Sequence, residues 1–364
     1  MEFSVLKKET GRLKRPKSDH KPGGLIIKHS KEQIMPDKKL CYLLFSIAIL
    51  ILVFTVPACG QPEQPKMRIG YLLGDLHHLP LFVGLEKGFF KDEGLNIEIV
   101  GPFEAGTAEM DALAANQLDV GYVGIAPTII AAALKVDLSV ISGVNLEGSA
   151  LACDPDLKQV IDLNKKKMAT PQPGSIQYVM TGMLLSNNKM SYKDVELFPG
   201  TIKPPEMPLA LETRRIDGYF VWEPFVAKAV IGGYGKVLAE SKDIWPGHPC
   251  CVVVTRNDFK AKNENTISAL VKVHQRAIKF ISDNPAESRT IAAKFTRLDE
   301  KIVSEALKRV RYTTSINQDD VKRFVNEIIS LGEGGAIKPI IARADIPDVS
   351  AFAVKLIDNK FALR

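Results

Sequence analysis

Residues 67–100 read MRIGYLLGDLHHLPLFVGLEKGFFKDEGLNIEIV, and this stretch decides the fold class. Residues 67–73 are a short apolar run bounded by a Gly/Asp/His loop, the mark of a buried strand. Residues 79–90 place apolar side chains at helical spacing, and 96–100 return to a strand. Strand, helix and strand in that order make the repeating unit of an α/β protein.

Outward from this unit the alternation persists. Residues 107–116 read as a helix, 120–124 as a strand, 126–135 as an alanine-rich helix and 138–144 as a strand. After Lys165-Lys166-Lys167 the pattern restarts with strand 168–170, the turn 171–174 and a helix capped by Ser175 that runs to 186. Segments 195–198, 206–213, 218–221 and 224–231 continue it, and 250–255 is a strongly β-branched strand. Short apolar strands between helices argue for parallel sheets covered on both faces. From 263 onward, capping and 3.6-residue periodicity predict helices at 263–283, 285–294, 300–309, 318–330 and 347–358. Two α/β units followed by a helical tail are therefore expected. Ligands of open α/β sheets bind beyond the carboxyl ends of the strands, so two facing units make a cleft there.

Upstream, residues 40–58 form an apolar run that stops at Cys59, with Lys38 and Lys39 in front and a Pro/Gln/Glu tether behind. These are the features of a secretory signal. Val56-Pro57-Ala58-Cys59 resembles a bacterial lipobox, in which Cys59 becomes the lipidated first residue. The run is also long enough to stay as a membrane anchor. Both readings put the remainder in the cell envelope, periplasmic or on the outer face of the cytoplasmic membrane. Residues 1–34 are polar and Lys-rich, and Met35 is the expected start of translation. The expected organisation is 1–59 extension and signal, 60–66 tether, 67–150 lobe one, 151–249 lobe two, and 250–364 the return to lobe one with the C-terminal helices.

The chain of 364 residues has 48 Lys/Arg and 42 Asp/Glu. Residues 1–59 hold eleven and five of these, which is the whole surplus, so the rest is neutral with 37 of each. A neutral domain gives no electrostatic case for nucleic acid or anionic lipid. Past Cys41 and Cys59, three cysteines remain: Cys153, Cys250 and Cys251. An odd count leaves at least one free thiol unless chains pair.

The candidate site residues follow from the cleft rule. Asp75, His77 and His78 follow the first strand. Gly106 and Thr107, and likewise Gly174 and Ser175, open helices whose amides and positive dipole end suit an anion. Ala126 and Pro127 lie past strand 120–124. Trp222 and Glu223 end a strand, with Pro224 at the favoured first position of a helix. His248 and Cys250 enter the strand that returns to lobe one. The same residues have plain structural uses as turn glycines, a cap, a core aromatic and small buried hydrophobes. Asp75, His78, His248 and Cys250 also have the ligand types of a borderline metal. Cys250 and Cys251, as strand neighbours, are expected on opposite faces, so one metal would not take both sulfurs.

LPLFVGLEKGFFKDEGLNIEI (79–99), DVGYVGIAP (119–127), PGS (173–175) and RIDGYFVWEP (215–224), in this order and spacing, resemble the solute-binding proteins of ABC importers, specifically the nitrate/sulfonate/taurine-type group. The likeness covers nearly all of 67–330, with Gly84 in place of the usual Ala. It implies a type II periplasmic-binding-protein-like fold: two α/β lobes around a ligand cleft, with the C-terminal helical segment packed on lobe one. It further implies a monomer without cofactor or catalysis, whose partners are a small-molecule ligand and a permease and ATPase complex. The alternative class is an enzyme on the same fold, of the thiamine-pyrimidine or menaquinone-pathway type, with Cys250, His248 and His78 as nucleophile and base. Against it, the cysteine-dense motif of the thiamine enzymes is missing, and those enzymes carry no export signal.

Overall fold

A computed structural model describes residues 66–332, 346 and 348–362. The signal, Cys59 and Met35 lie outside the described residues. Eleven strands among those described form two sheets. In chain order they are β1 (Met67–Leu72), β2 (Ile97–Phe103), β3 (Val120–Gly124), β4 (Leu138–Glu147), β5 (Ser149–Cys153), β6 (Lys167–Thr170), β7 (Glu196–Pro199), β8 (Gly218–Trp222), β9 (Lys236–Glu240), β10 (Pro249–Arg256) and β11 (Val310–Tyr312). The first sheet has the order β11-β4-β10-β3-β1-β2 and the second β7-β6-β8-β5-β9.

The βαβ units give the expected parallel pairs, β1 with β2 and β3, and β6 with β7 and β8. The sheets are nevertheless mixed: β10 runs antiparallel to β3 and β4, and β5 antiparallel to β8 and β9. The crossings explain this. A chain that leaves one sheet at the cleft enters the other from its cleft end, so it must run opposite to strands whose carboxyl ends lie there. Cys251 accordingly sits beside Gly124, the last residue of β3.

The helix expected over 79–90 is two pieces, Leu79–Glu86 and Phe89–Asp92, because Gly88 at φ +72° takes the left-handed conformation that ends a helix. Gly84 has a packing reason: a Cβ there would lie 2.8 Å from Phe90 Cε2 and 3.2 Å from Val273 Cγ1. The tail helices fall close to expectation, at Glu264–Asp283, Pro285–Thr296, Glu300–Leu307, Gln318–Gly332 and Val349–Leu356. Thr266, Ile267, Leu270, Val271, His274 and Ala277 form the buried stripe of the longest, which lies with Pro285–Thr296 on helix Leu79–Glu86 of the first lobe. The tail does more than cover that lobe. Helix Glu300–Leu307 packs on Phe225–Gly232 of the second lobe, and Gln318–Gly332 touches Ile125–Ala133 and Ile176–Asn187, one helix from each lobe.

At the amino end of β3, Asp119 of the DVG motif clamps three strands. Its Oδ2 accepts from Arg68 N and Nε, both at 2.9 Å. Its Oδ1 accepts from Arg68 Nη2 at 2.8 Å and Arg256 Nη1 at 3.2 Å.

Candidate functional site

A narrow cleft with a cavity volume of about 30 Å³ lies between the two sheets at their strand ends. Asp75, Gly106, Thr107, Pro127 and Cys251 line it from the first lobe, and Gln172, Ser175, Ile176, Gln177 and Trp222 from the second. Three helices begin on its wall, at Gly106, Ile125 and Ile176. No side chain caps the first two, so the amides of their opening turns remain available. Ser175 Oγ caps the third by accepting from Tyr178 N at 3.1 Å. The indole Nε1 of Trp222 is buried without a hydrogen-bond partner, which an amphipathic ring rarely tolerates.

The lobes are in contact across this cleft. Thr107 Oγ1 donates to Gln172 Oε1. A Cβ on Gly124 would lie 3.1 Å from Ile176 Cδ1 of the opposite lobe, and one on Gly174 only 2.7 Å from Ile130 Cδ1.

Behind the cleft floor is a buried polar chamber. Asp75 caps the short helix Leu76–His78, its Oδ1 accepting from His77 N at 2.9 Å. His77 Nε2 donates to Gly148 O at 2.9 Å, at the point where the chain passes between sheets. His77 Nδ1 lies 3.3 Å from Asp75 Oδ1, 3.5 Å from Cys250 Sγ and 3.6 Å from Cys251 Sγ. His78 Nδ1 accepts from Leu72 N at 3.2 Å, while its Nε2 has no hydrogen-bond partner and stands 3.8 Å from Asp75 Oδ2.

Burial pushes the Asp75 carboxyl up to about 7, with His77 pulling it back. Burial disfavours charge on His77 too, but Asp75 and Cys250 outweigh it and raise the imidazole to about 10. At Cys250 burial opposes ionisation, yet the hydrogen bond from Cys251 and the charge on His77 hold its thiol well below the usual range. Burial and the neighbouring Cys250 drive Cys251 the other way. The shifts at His77 and Cys250 both favour the charged form, and each group is a cause of the other's shift.

The convergence of both sulfurs on one nitrogen corrects the expectation of opposite faces. The pairing of β10 with β4 shifts register around Cys251, and strict alternation fails at such a bulge. All three remaining cysteines are free and buried.

Of the residues expected at the site, Asp75, Gly106, Thr107, Pro127, Ser175 and Trp222 line the cleft. Ala126 and Gly174 are buried beside it without lining it, and His77, His78 and Cys250 lie a layer behind. Glu223 faces away from the cleft: Oε1 accepts from Arg309 Nη1 at 3.0 Å and Oε2 from Ala227 N at 3.0 Å, and burial pushes it to about 7 against the pull of Arg309. His248 packs its ring against Trp245 and Phe324, with Nδ1 3.0 Å from Pro249 O. It is absent from the His77 and His78 groupings that could hold a metal. Cys251, Gln172, Ile176 and Gln177 were not expected. The last two directly follow Ser175, so the helix-opening argument extended by one turn finds them.

The NMT1-like family profile matches residues 60–296. A Bacillus subtilis protein named for binding aliphatic sulfonates is 25% identical over 333 residues, covering 86% of this chain and 94% of the relative. The periplasmic nitrate-binding protein NrtA of Synechocystis PCC 6803 superposes with a TM-score of 0.71 at 17% identity, over 83% of this chain and 88% of that one. The zinc-bound ligand-binding component of an ABC-type import system from Staphylococcus aureus gives 0.67 at 20%, over 78% and 99%.

Proposed function

The chain belongs to the NMT1-like family, and from that premise we propose that it is the extracytoplasmic solute-binding component of an ABC importer. It captures a small molecule between its lobes and hands it to a permease with its ATPase. The observation that carries this reading is the Trp222 indole N–H, buried and unpartnered on a wall to which both lobes contribute. Shut lobes leave it unpaired unless a ligand acceptor is present, which makes closure depend on the solute.

The chemistry suits a small organic solute with an oxoanion or similar acceptor group. The opening turns at Gly106 and Ile125 offer amide donors, and Trp222 adds one from the second lobe. Asp75 is the acidic side chain on the wall, and burial keeps its carboxyl up to about 7, so near neutrality it can donate as well as accept. Isothermal titration with alkanesulfonates, nitrate, bicarbonate and neutral heterocycles tests this. Binding of an oxoanion-bearing member is expected, and no binding by any of them refutes the class.

A catalytic reading is weaker. Cys251, the thiol on the cleft wall, is held well above the usual range and so stays protonated. Cys250, the ionised one, lies behind the wall, and His248 is turned to Trp245 and Phe324. The apolar run before Cys59 supports export and retention at the membrane by a lipid. Loss of palmitate labelling in Cys59→Ser checks the anchor, and sedimentation of the detergent-solubilised chain checks that it is a monomer.

A further inference from the structure

We propose that His77, Cys250 and Cys251 supply three ligands of a tetrahedral site for a borderline divalent cation of the zinc class at the foot of the cleft, the fourth position being left to an exogenous ligand. The proposal does not depend on which solute the cleft takes.

The distances carry it. From His77 Nδ1 the sulfurs of Cys250 and Cys251 lie at 3.5 and 3.6 Å, and Asp75 Oδ1 at 3.3 Å. Zinc bound tetrahedrally at its usual bond lengths puts nitrogen and sulfur ligands about 3.5 Å apart, and nitrogen and oxygen about 3.3 Å apart. The two nitrogen–sulfur spacings already present are those of two edges of such a polyhedron, and Asp75 stands outside the group of three. His77, Cys250 and Cys251 also bring their ligand atoms within 4.8 Å of one another.

The hydrogen bonds select the ring. His77 Nε2 donates to Gly148 O at 2.9 Å, so a metal would displace the proton of Nδ1, the nitrogen that faces the sulfurs. A ligating histidine whose other nitrogen donates to a backbone carbonyl is the usual outer-shell arrangement. His78 has the opposite state. Its Nδ1 is occupied by the Leu72 amide, which leaves the proton on Nε2 facing Asp75. That nitrogen then offers no lone pair to a metal, and at 3.8 Å it makes no hydrogen bond to Asp75 either. This differs from the sequence-level set of Asp75, His78, His248 and Cys250, because the β10 bulge turns Cys251 toward the same ring. Small buried cysteines are commonly inert packing, and a protonated Nδ1 would attract the same sulfurs by itself, so metal titration separates a metal site from a bare ion pair. Entry is from the cleft, whose wall includes Asp75 and Cys251.

The test uses the full-length protein in detergent, reduced, stripped with a chelator and titrated with Co²⁺ and Zn²⁺. The expected result is one metal per chain, with intense tetrahedral cobalt bands and thiolate-to-cobalt charge-transfer absorption displaced by Zn²⁺. Cys250→Ser, Cys251→Ser and His77→Gln should each weaken binding by more than the roughly 10–100-fold that losing an outer-shell partner costs. His78→Gln should stay within that range, and Cys153→Ser should bind as wild type. Circular dichroism identifies any variant that fails to fold, and the wild-type cobalt spectrum then decides alone. Absent charge-transfer absorption, or a Cys153→Ser loss equal to that of Cys251→Ser, overturns the site.

Discussion

The two ends of β1, β3 and β10 solve opposite problems. At the end away from the cleft, Arg68, Asp119 and Arg256 are satisfied together with Asn116 and Asp258, and the arginines keep partial contact with water. At the cleft end the same strands deliver Asp75, Cys250 and Cys251 into a chamber where His78 Nε2 goes without a partner and titrations are pushed far from their ordinary ranges. A satisfied cluster holds strands together. An incompletely satisfied one next to a cleft is where a ligand has something to contribute.

The contrast breaks most visibly if Asp119 is removed. Asp119→Ala removes the carboxylate shared by two arginines and should cost about 3 kcal/mol of stability, the low end for a buried ion pair because Arg68 is partly exposed and Arg256 keeps Asp258. Urea unfolding measures this, and solute affinity of the folded protein should not change. An equal fall in affinity would mean the two ends are one unit.

His274, between the ends, gives the next effect. Its Nδ1 faces the Tyr122 hydroxyl at 3.2 Å and its Nε2 donates to Gly143 O at 2.8 Å, and burial holds it down to about 4 against an ordinary 6.5. The unfolded chain takes up a proton below pH 6.5 and the folded one not until about pH 4. The contribution is therefore full above pH 6.5 and is lost as pH falls to 4, in total about 3 kcal/mol. Unfolding curves of wild type and His274→Gln should converge over that window. Parallel curves would remove His274 as the titrating group.

Trp222→Phe sharpens the comparison from the cleft side. It deletes the N–H and shrinks the bicyclic indole to a single ring, so solute binding should weaken by about 1–2 kcal/mol from the lost donor, and stability should fall by about 1 kcal/mol from the space left in the core. Calorimetry and melting separate the two. The smallest effect belongs to neither end: Lys279→Ala removes an exposed pair with Asp283 at 2.8 Å on helix Glu264–Asp283. Both stability and affinity should stay within about 0.5 kcal/mol.

Much of the fold was legible because periodicity and caps report local structure. The tail helices are long and amphipathic, and the βαβ units carry their turns with them. Strands β5, β9 and β11 were not foreseen. β5 is SALAC, small residues buried on both faces with no alternation to mark it. The direction of β10 follows from the crossing between sheets, which no local pattern records. At the site, the rule about strand ends located Asp75, Thr107, Ser175 and Trp222. It could not say that Glu223 and His248 turn away, because Arg309, Trp245 and Phe324 come from distant segments. Nor could it choose Cys251 over Cys250, since one register shift decides which sulfur reaches the cleft.

Ile176 seated on Gly124, and Ile130 on Gly174, press the halves together at two points of the seam, so a wide route for a solute opens only when the halves part. The dwell time of a captive molecule is then set by how often the halves part, not by the strength of any single contact. A permease that pries them open acts as an exit gate, and it can empty a tight binder without having to outbid it.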